Sequence, residues 1–92
     1  MTKAEFIAAI AEKLRMNKKD VNGVIDETFS LIGDALARGE KCTFVDFGTF
    51  EVRHRAARIG RNPRDPAKIV TIPAKNVPAF RAGKQLKEKL LQ

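Results

Sequence analysis

The sequence lacks most of the side chains from which small proteins build disulfides, metal sites or catalytic centres. Its 92 residues include no Trp or Tyr, and only one Cys and one His. Cys42 therefore cannot form an internal disulfide, and Cys42 with His54 is too small a set for a metal site. MTKAEF at the start has no apolar core of signal-peptide length, and no segment suits a bilayer span. These absences predict an intracellular, reducing compartment and argue against an enzyme.

Acidic residues are also scarce in one half of the chain. Eighteen Lys and Arg residues against eleven Asp and Glu residues give a net charge of +7. Residues 1–52 carry seven basic and nine acidic side chains, whereas residues 53–92 carry eleven basic and two acidic ones. No acid lies between Val52 and Arg64. A solvated surface normally mixes both signs, so this asymmetry predicts a binding surface for a polyanion such as nucleic acid.

Two amphipathic helices are predicted in the first 39 residues. Thr2 can cap the first helix, and Glu5 has the capping-box spacing from it. A second, longer apolar stripe of helical period predicts a helix from about Lys18 to Arg38, with Gly39 as its stop. A chain of this length buries only a modest core, so a partner subunit is expected to complete it.

The hydrophobic period changes to two after the helices. Residues 42–45 predict a short strand, and residues 49–58 predict a longer one that can bend at Ala56-Ala57. A returning strand over residues 68–73 then closes a hairpin whose tip contains little that could bury itself. Such a hairpin is expected to be mobile until it binds a partner. A last helix is predicted from about Ala82.

Two long segments carry a family resemblance. They read GTFEVRHRAARIGRNP and IPAKNVPAFRAGKQLKEKL, and the two amphipathic helices precede them. Together they resemble the bacterial HU and integration host factor family of histone-like DNA-binding proteins, with HU the closer of the two. The resemblance covers essentially the whole chain, and its GRNP and FRAGK elements are jointly specific.

The resemblance implies an α+β fold in an intertwined dimer. Its α-helical base has two N-terminal helices and one C-terminal helix, and its three-stranded β-sheet extends into a flexible β-hairpin arm. The whole chain is then a single domain. Its expected parts are a helical dimerisation hairpin (1–39), the sheet (41–58 and 69–80), a DNA-embracing arm (59–73) and the C-terminal helix (82–91).

Two positions depart from the family pattern. Asp46 precedes Phe47, where family members commonly have Gly, and this changes the turn or its phosphate environment. The arm tip of the family usually continues as a Thr-Gly turn after the proline. Here Asp65-Pro66-Ala67 follows Arg64 and makes the tip one residue longer.

The function implied by the resemblance is histone-like binding and bending of duplex DNA with little sequence preference. Such a protein compacts or stabilises chromosomal DNA in the bacterial nucleoid of the cytoplasm. It is expected to be a homodimer, or a heterodimer with a paralogue. No cofactor, metal, membrane or small-molecule substrate is expected.

Pro63 has two interpretations. Asn-Pro is a common turn signal, and spacing alone favours that interpretation. Alternatively, the rigid ring, which has no N–H to satisfy, enters between two base pairs from the minor groove, as in architectural proteins that include this family. The resemblance favours the wedge. Asn62 is equally suited to a minor-groove hydrogen bond and to capping the turn.

The remaining DNA-binding candidates are cationic. Arg55, Arg58 and Arg61 are assigned to the minor groove and Arg53 to the backbone, because guanidinium groups fit narrow grooves and phosphates. The start of the last helix is expected to hold a phosphate. The further DNA-binding candidates, each of which could instead serve only solubility, are Lys3, Arg64, Lys75, Arg81, Lys84 and Lys87.

The phenylalanines could be base-stacking aromatics, but packing is the better interpretation. They stand among valines and apart from the arginine run, which favours a core or dimer role. His54 alternates onto the apolar face and is expected to pack at the arm base, and Cys42 is expected to be buried. The dimer-core candidates are Phe29, Phe47, Phe50 and Phe80.

Three other functions remain as alternatives. A site-specific architectural factor of the integration host factor type would read sequence-dependent DNA shape. An enzyme acting on nucleic acid is disfavoured because the chain offers no paired-carboxylate or metal-ligand cluster. An RNA-binding or protein-binding module could use the same basic arm.

Overall fold

The computed structural model describes residues 1–91, and of Pro66 only the backbone. Within these residues the chain has an α+β fold of three helices and five strands, as expected. The elements in chain order are α1 (Lys3–Leu14), α2 (Lys18–Ala37), β1 (Cys42–Phe44), β2 (Gly48–Arg55), β3 (Arg58–Asn62), β4 (Asp65–Ile72), β5 (Lys75–Ala82) and α3 (Lys84–Leu90). None of the described helices has the length and hydropathy that a membrane crossing requires.

The chain divides into two compact units, and the first comprises residues 1–34. The Oγ1 atom of Thr2 accepts a hydrogen bond from the Glu5 N–H at 3.2 Å, so the predicted cap of α1 is confirmed. In the connection to α2, Asn17 Oδ1 accepts the Asp20 N–H at 2.7 Å. This bond satisfies one of the free N–H groups at the start of α2.

The predicted stop of α2 is also confirmed. Gly39 has a φ of +79°, a left-handed conformation that glycine adopts without steric cost. Its N–H donates to the Leu36 carbonyl at 2.9 Å, and the Glu40 N–H donates to the Ala35 carbonyl at the same distance. These bonds satisfy carbonyl groups at the end of the helix, which ends within one residue of the predicted position.

Three antiparallel strands form a sheet in the order β1-β2-β5 within the second unit, which begins at Ala35. The ring of Phe80 lies 5.3 Å from that of Phe47 and 5.0 Å from that of Phe50 between centroids. Gly48 lies directly beneath the Phe80 ring, where an added Cβ atom would stand 2.5 Å from Cζ and 2.6 Å from the Arg81 carbonyl oxygen. This position therefore admits only glycine.

The arm is a separate two-stranded sheet of β3 and β4 rather than a continuation of the three-stranded sheet. The long strand expected over residues 49–58 is interrupted at Ala56 and Ala57, and the returning side is interrupted at Pro73 and Ala74. The expected bend is therefore a complete break on both sides. The arm begins at Arg58, one residue earlier than predicted.

The last helix begins later than expected. Ala82 is the final residue of β5, and α3 starts at Lys84 after Gly83, which has extended backbone angles. The Gly83 N–H donates to the Phe47 carbonyl at 2.8 Å. This bond ties the start of α3 to the turn before β2.

Few apolar side chains are buried in the single protomer. Within the described residues, only Ala11, Val21 and Ala35 are buried hydrophobics. Many large apolar side chains are exposed, including Phe6, Leu14, Val24, Phe29, Leu31, Phe44, Phe47, Leu90 and Leu91. A protomer with so small a core leaves most of its apolar surface in water.

Candidate nucleic-acid interface

The arm carries its positive charges without acidic partners. Arg58 and Arg61 lie in β3, and Arg64 follows Pro63 in the turn at the tip. In the part of the chain that the structure describes, none of these arginines, nor Arg55 at the end of β2, forms an ion pair with a carboxylate. Their charge is therefore directed to solvent or to an external anion.

Other candidate cations are already engaged. Lys3 forms an ion pair with Asp26 in the first unit. The Nη2 atom of Arg53 lies 3.4 Å from Glu51 Oε1, in the sheet. The Nζ atom of Lys84 lies 3.9 Å from Glu88 Oε1, one turn later in α3. Exposed pairs of this kind contribute about 0–1 kcal/mol each and can be exchanged for a phosphate.

The hairpin tip places Pro63 outward. Pro63 is exposed between the two strands of the arm. The Asn62 side-chain oxygen accepts the Arg64 N–H at 2.9 Å and so bridges over the proline, which has no N–H of its own. Asn62 was expected either to cap the turn or to contact the minor groove, and the structure shows the turn cap. A minor-groove contact by Asn62 stays a prediction.

The tip also contains a bulge that was not predicted from the sequence. Asn62 pairs with Asp65, but the neighbouring Arg61 pairs with Ile69, so the ladder skips residues 66–68. Asp65 Oδ1 accepts the Ala67 N–H at 3.2 Å and holds the chain in this bulge. The run Asp65-Pro66-Ala67, which departs from the family pattern, lies in this bulge.

A cavity of about 380 Å³ lies at the arm base. It is bounded by the end of the three-stranded sheet and the start of the arm. Its lining residues are Arg55, Ala56, Arg58, Ile72, Pro73 and Lys75. The structure therefore brings Lys75, predicted as an arm-base contact, together with two of the candidate groove arginines.

The anion site expected at the start of the last helix stays a prediction, but the elements around it differ from those expected. Arg81 belongs to β5 and not to the helix, and α3 is only seven residues long. The Gly83 N–H is already bonded to the Phe47 carbonyl. Arg81 and Lys87 are exposed, and their contacts with phosphate stay predictions.

The phenylalanines pack with one another in the second unit. Phe47, Phe50 and Phe80 form a cluster, and Phe44 adds an edge-to-face contact with Phe50 at 6.2 Å. Phe44 was not among the predicted core residues, although its alternation in β1 could have revealed it. Phe29 belongs to the first unit and is 63% exposed. Its role in a dimer core stays a prediction.

The expectation for His54 was wrong. The side chain is exposed and does not pack at the arm base. Its Nδ1 atom lies 2.9 Å from Asn76 Oδ1, on the opposite residue of β5. A cross-strand polar partner offers the ring a hydrogen bond that an apolar environment would not.

In residues 1–91, His, Cys, Asp and Glu side chains nowhere gather in groups of three or more that could hold a metal ion. Cys42 is half-buried rather than fully buried. The hydrogen bond and charge of Arg38 lower the pKa of Glu40, an exposed carboxylate outside the arm.

Comparison with known proteins gives a consistent result over the full length. A family model described as "Bacterial DNA-binding protein" matches residues 1–91. DNA-binding protein HU from Clostridium pasteurianum is 48% identical over 90 residues, which are 98% of each chain. DNA-binding protein HU from Staphylococcus aureus (strain COL) is 49% identical over 88 residues, 96% of this chain and 97% of the relative.

Solved structures show the same likeness. An Anabaena HU–DNA cocrystal structure has a TM-score of 0.89 and 44% identity, covering 98% of this chain and 97% of its own. HU from Thermotoga maritima has a TM-score of 0.71 and 37% identity, with 98% of each chain covered.

Proposed function

Because this chain belongs to the bacterial DNA-binding protein family, as its HU relatives also indicate, we propose that it is a histone-like protein that binds and bends duplex DNA. The observation that carries the proposal is the arm, whose arginines have no described acidic partner and whose tip presents an exposed proline. The similar Anabaena HU was crystallised together with DNA, which supports the same ligand here.

The proposed assembly is a homodimer, with pairing to a paralogue as a variant of the same arrangement. The exposed phenylalanines of both units supply apolar surface that a second copy can cover. In the first unit, Phe6, Ile10, Ile25 and Phe29 help to line an apolar cavity of about 430 Å³. An apolar side chain of the partner would fill it, as in a core shared between two chains.

Each arm of the dimer would enter the minor groove. Arg55, Arg58 and Arg61 would follow the groove, while Arg53, Arg64 and the cations near the helix ends would meet phosphates. Pro63 would enter a base step from the tip. Unstacking a step costs on the order of a few kcal/mol, which the bent duplex offsets by touching more protein.

The proposed location is the bacterial nucleoid, and the proposed role is architectural rather than enzymatic. The relatives are named as DNA-binding proteins, which supports both statements. Compaction or stabilisation of chromosomal DNA would follow from many bends made with little sequence preference.

The test of the wedge is Pro63→Ala in a DNA circularisation assay. We expect the variant to close short duplexes much less efficiently while keeping most of the affinity, since the arginines remain. Pro78→Ala is the matched control because Pro78 is exposed in β5, outside the arm. Equal circularisation by wild type and Pro63→Ala would refute the wedge.

Sequence preference needs a separate competition experiment. Random duplexes and duplexes selected for tight binding should compete within about tenfold of one another if recognition is largely non-specific. A preference of about a thousandfold or more would instead support a site-specific factor that reads DNA shape. Parallel titrations with RNA and single strands would identify a different nucleic-acid partner.

A further inference from the structure

Asp65 is the one acidic residue of the arm. Residues 58–72 include four basic side chains, and Asp65 carries the single negative charge among them. In the part of the chain that the structure describes, its carboxylate forms no ion pair with Arg61 or Arg64. A negative charge at the tip repels a polyanion and so opposes its binding. The contribution of Asp65 therefore has to be sought in its hydrogen bonding.

Asp65 lies at the base of the turn that carries Pro63. Asn62 and Asp65 are paired at the end of the arm and are half-buried, whereas Pro63 and Arg64 between them are exposed. The Asn62 side-chain oxygen accepts the Arg64 N–H at 2.9 Å and ties the turn internally. Pro63 is thus held on a short turn whose base is the pair of Asn62 and Asp65.

A bulge on one side joins this turn to the rest of the arm. In β3, Arg61 and Asn62 are neighbours and continue the strand. In β4, the ladder skips residues 66–68 after Asp65. The Oδ1 atom of Asp65 accepts the Ala67 N–H at 3.2 Å inside this bulge. Because a bulge bends its strand and increases the local twist, its conformation sets the direction of the turn relative to the arm.

We propose that Asp65 is a positioning residue for DNA bending, because its bond to the Ala67 N–H fixes the bulge and hence the direction in which Pro63 projects. The proposal rests on the function proposed above, in which Pro63 enters a base step. An Asp side chain suits this position, since its oxygen reaches the N–H two residues later. A ring that is already aimed at the base step loses less freedom on binding, which favours the bent complex.

Two substitutions of Asp65 separate its hydrogen bond from its charge. Asp65→Asn and Asp65→Ala both remove the charge, but Asp65→Asn keeps an oxygen that can accept the Ala67 N–H. By fluorescence anisotropy, both variants should bind a short duplex at least as tightly as wild type, since a repulsive charge is gone. In DNA circularisation, Asp65→Asn should match wild type. Asp65→Ala should circularise about fivefold less efficiently, as expected from the loss of one hydrogen bond.

Two further measurements distinguish positioning from a general loss of structure. In the protein without DNA, amide hydrogen exchange at Ala67 should accelerate about fivefold in Asp65→Ala and stay unchanged in Asp65→Asn. In a double-mutant cycle, Asp65→Ala should cause little further loss of circularisation when Pro63→Ala is already present. The reason is that the direction of the tip no longer matters once the wedge is absent.

Three results would overturn the role of Asp65. They are equal circularisation by Asp65→Ala and Asp65→Asn, equal exchange of the Ala67 amide in both, or a full additional loss in the Pro63→Ala background. Each would leave the proposed function standing, provided that the wild-type protein bends the duplex. If the wild-type protein does not bend DNA, the proposed function fails and the role of Asp65 falls with it.

Discussion

The three-stranded sheet and the arm adjoin along the chain, yet their charged side chains have different partners. In the sheet, Glu51 is largely buried, with only 13% of its side chain exposed, and it lies near both Arg53 and Lys41. In the arm, Arg58 and Arg61 have no acidic partner in the described structure. Glu51 thus offsets the charge of Arg53 within the sheet, whereas the charges of Arg58 and Arg61 are left for a ligand.

The apolar side chains divide in the same way. The sheet brings Phe47, Phe50 and Phe80 into ring contact, but the arm leaves Ile59 and Ile69 exposed at 75% and 69%. Little apolar burial holds the arm in place, which is typical of segments with low local stability. The comparison teaches that successive strands of one chain can build both a sheet with packed rings and an arm with little apolar packing.

The strongest test of this contrast is a pair of glycine substitutions. In the sheet, Gly48→Ala would push a methyl group into Phe80 and the Arg81 carbonyl, and we expect a loss of about 3 kcal/mol in unfolding free energy. In the arm, a Cβ at Gly60 would stand 3.4 Å from Ile72 Cδ1, an ordinary contact. Gly60→Ala should therefore change stability by less than about 0.5 kcal/mol.

Urea unfolding at one fixed protein concentration would measure both variants, since the stability of a dimer depends on concentration. A comparable loss from both glycine substitutions would contradict the contrast. It would mean that the arm is packed as tightly as the sheet.

The next test compares an unpaired arginine with a paired one. Arg61→Gln should weaken duplex binding about tenfold at low salt and reduce the salt slope by about 0.9 for a lost phosphate contact, or less for a groove contact. Arg53→Gln should cost about threefold or less, because Glu51 already offsets that charge. Fluorescence anisotropy over a salt series gives both quantities. A larger loss of duplex affinity for Arg53→Gln than for Arg61→Gln would show that the sheet arginine, and not the arm arginine, makes the stronger DNA contact.

Helix ends and element types were predictable because their signals are local. Thr2 caps α1 and Gly39 ends α2 through contacts within a few residues, and both have the predicted role. The family and the α+β fold were also predicted correctly, and the comparisons confirm the family. The DNA contacts of the individual residues stay predictions.

Features that depend on tertiary contacts were not predictable in the same way. The Lys3–Asp26 ion pair joins residues far apart in the chain, and His54 met Asn76 only through the strand register. The complete break at residues 56–57 has no local signal beyond two alanines. The arm bulge depends on the side chain of Asp65, whose bond to Ala67 no periodicity reveals.

Within the arm, a substitution of Asn62 is expected to have a smaller effect on stability, and it tests how rigidly the tip is held. Asn62→Ala removes the acceptor for the Arg64 N–H, and we expect a local loss of about 1 kcal/mol. Amide hydrogen exchange at Arg64 should accelerate about fivefold to tenfold, and circularisation should fall because Pro63 is held less rigidly. Asn62→Asp keeps an acceptor oxygen and is the matched control for the exchange rate. Equal exchange rates of the Arg64 amide in wild type and Asn62→Ala would show that the Asn62 side chain does not stabilise the turn.

The smallest expected effect is a gain in unfolding free energy from a substitution in the turn between β1 and β2. Asp46 has a φ of +75°, and the Phe47 N–H donates to the Phe44 carbonyl at 3.0 Å, as in a type II turn. That position favours glycine, which family members commonly have there, because a Cβ is strained at positive φ. Asp46→Gly should therefore stabilise the protein by about 0.5 kcal/mol in urea unfolding, net of the added backbone entropy of the unfolded chain.

Asp46→Asn is the appropriate comparison for that gain, since Asn lacks the charge but keeps the Cβ atom that is strained at positive φ. If removal of the charge were the cause, Asn and Gly would stabilise equally. If backbone strain is the cause, Gly alone gives most of the gain. Because this turn carries Phe47 into the ring cluster, the effect should appear in the stability of the sheet, with hydrogen exchange in the arm unchanged. A change confined to the arm would show that the two regions are not independent.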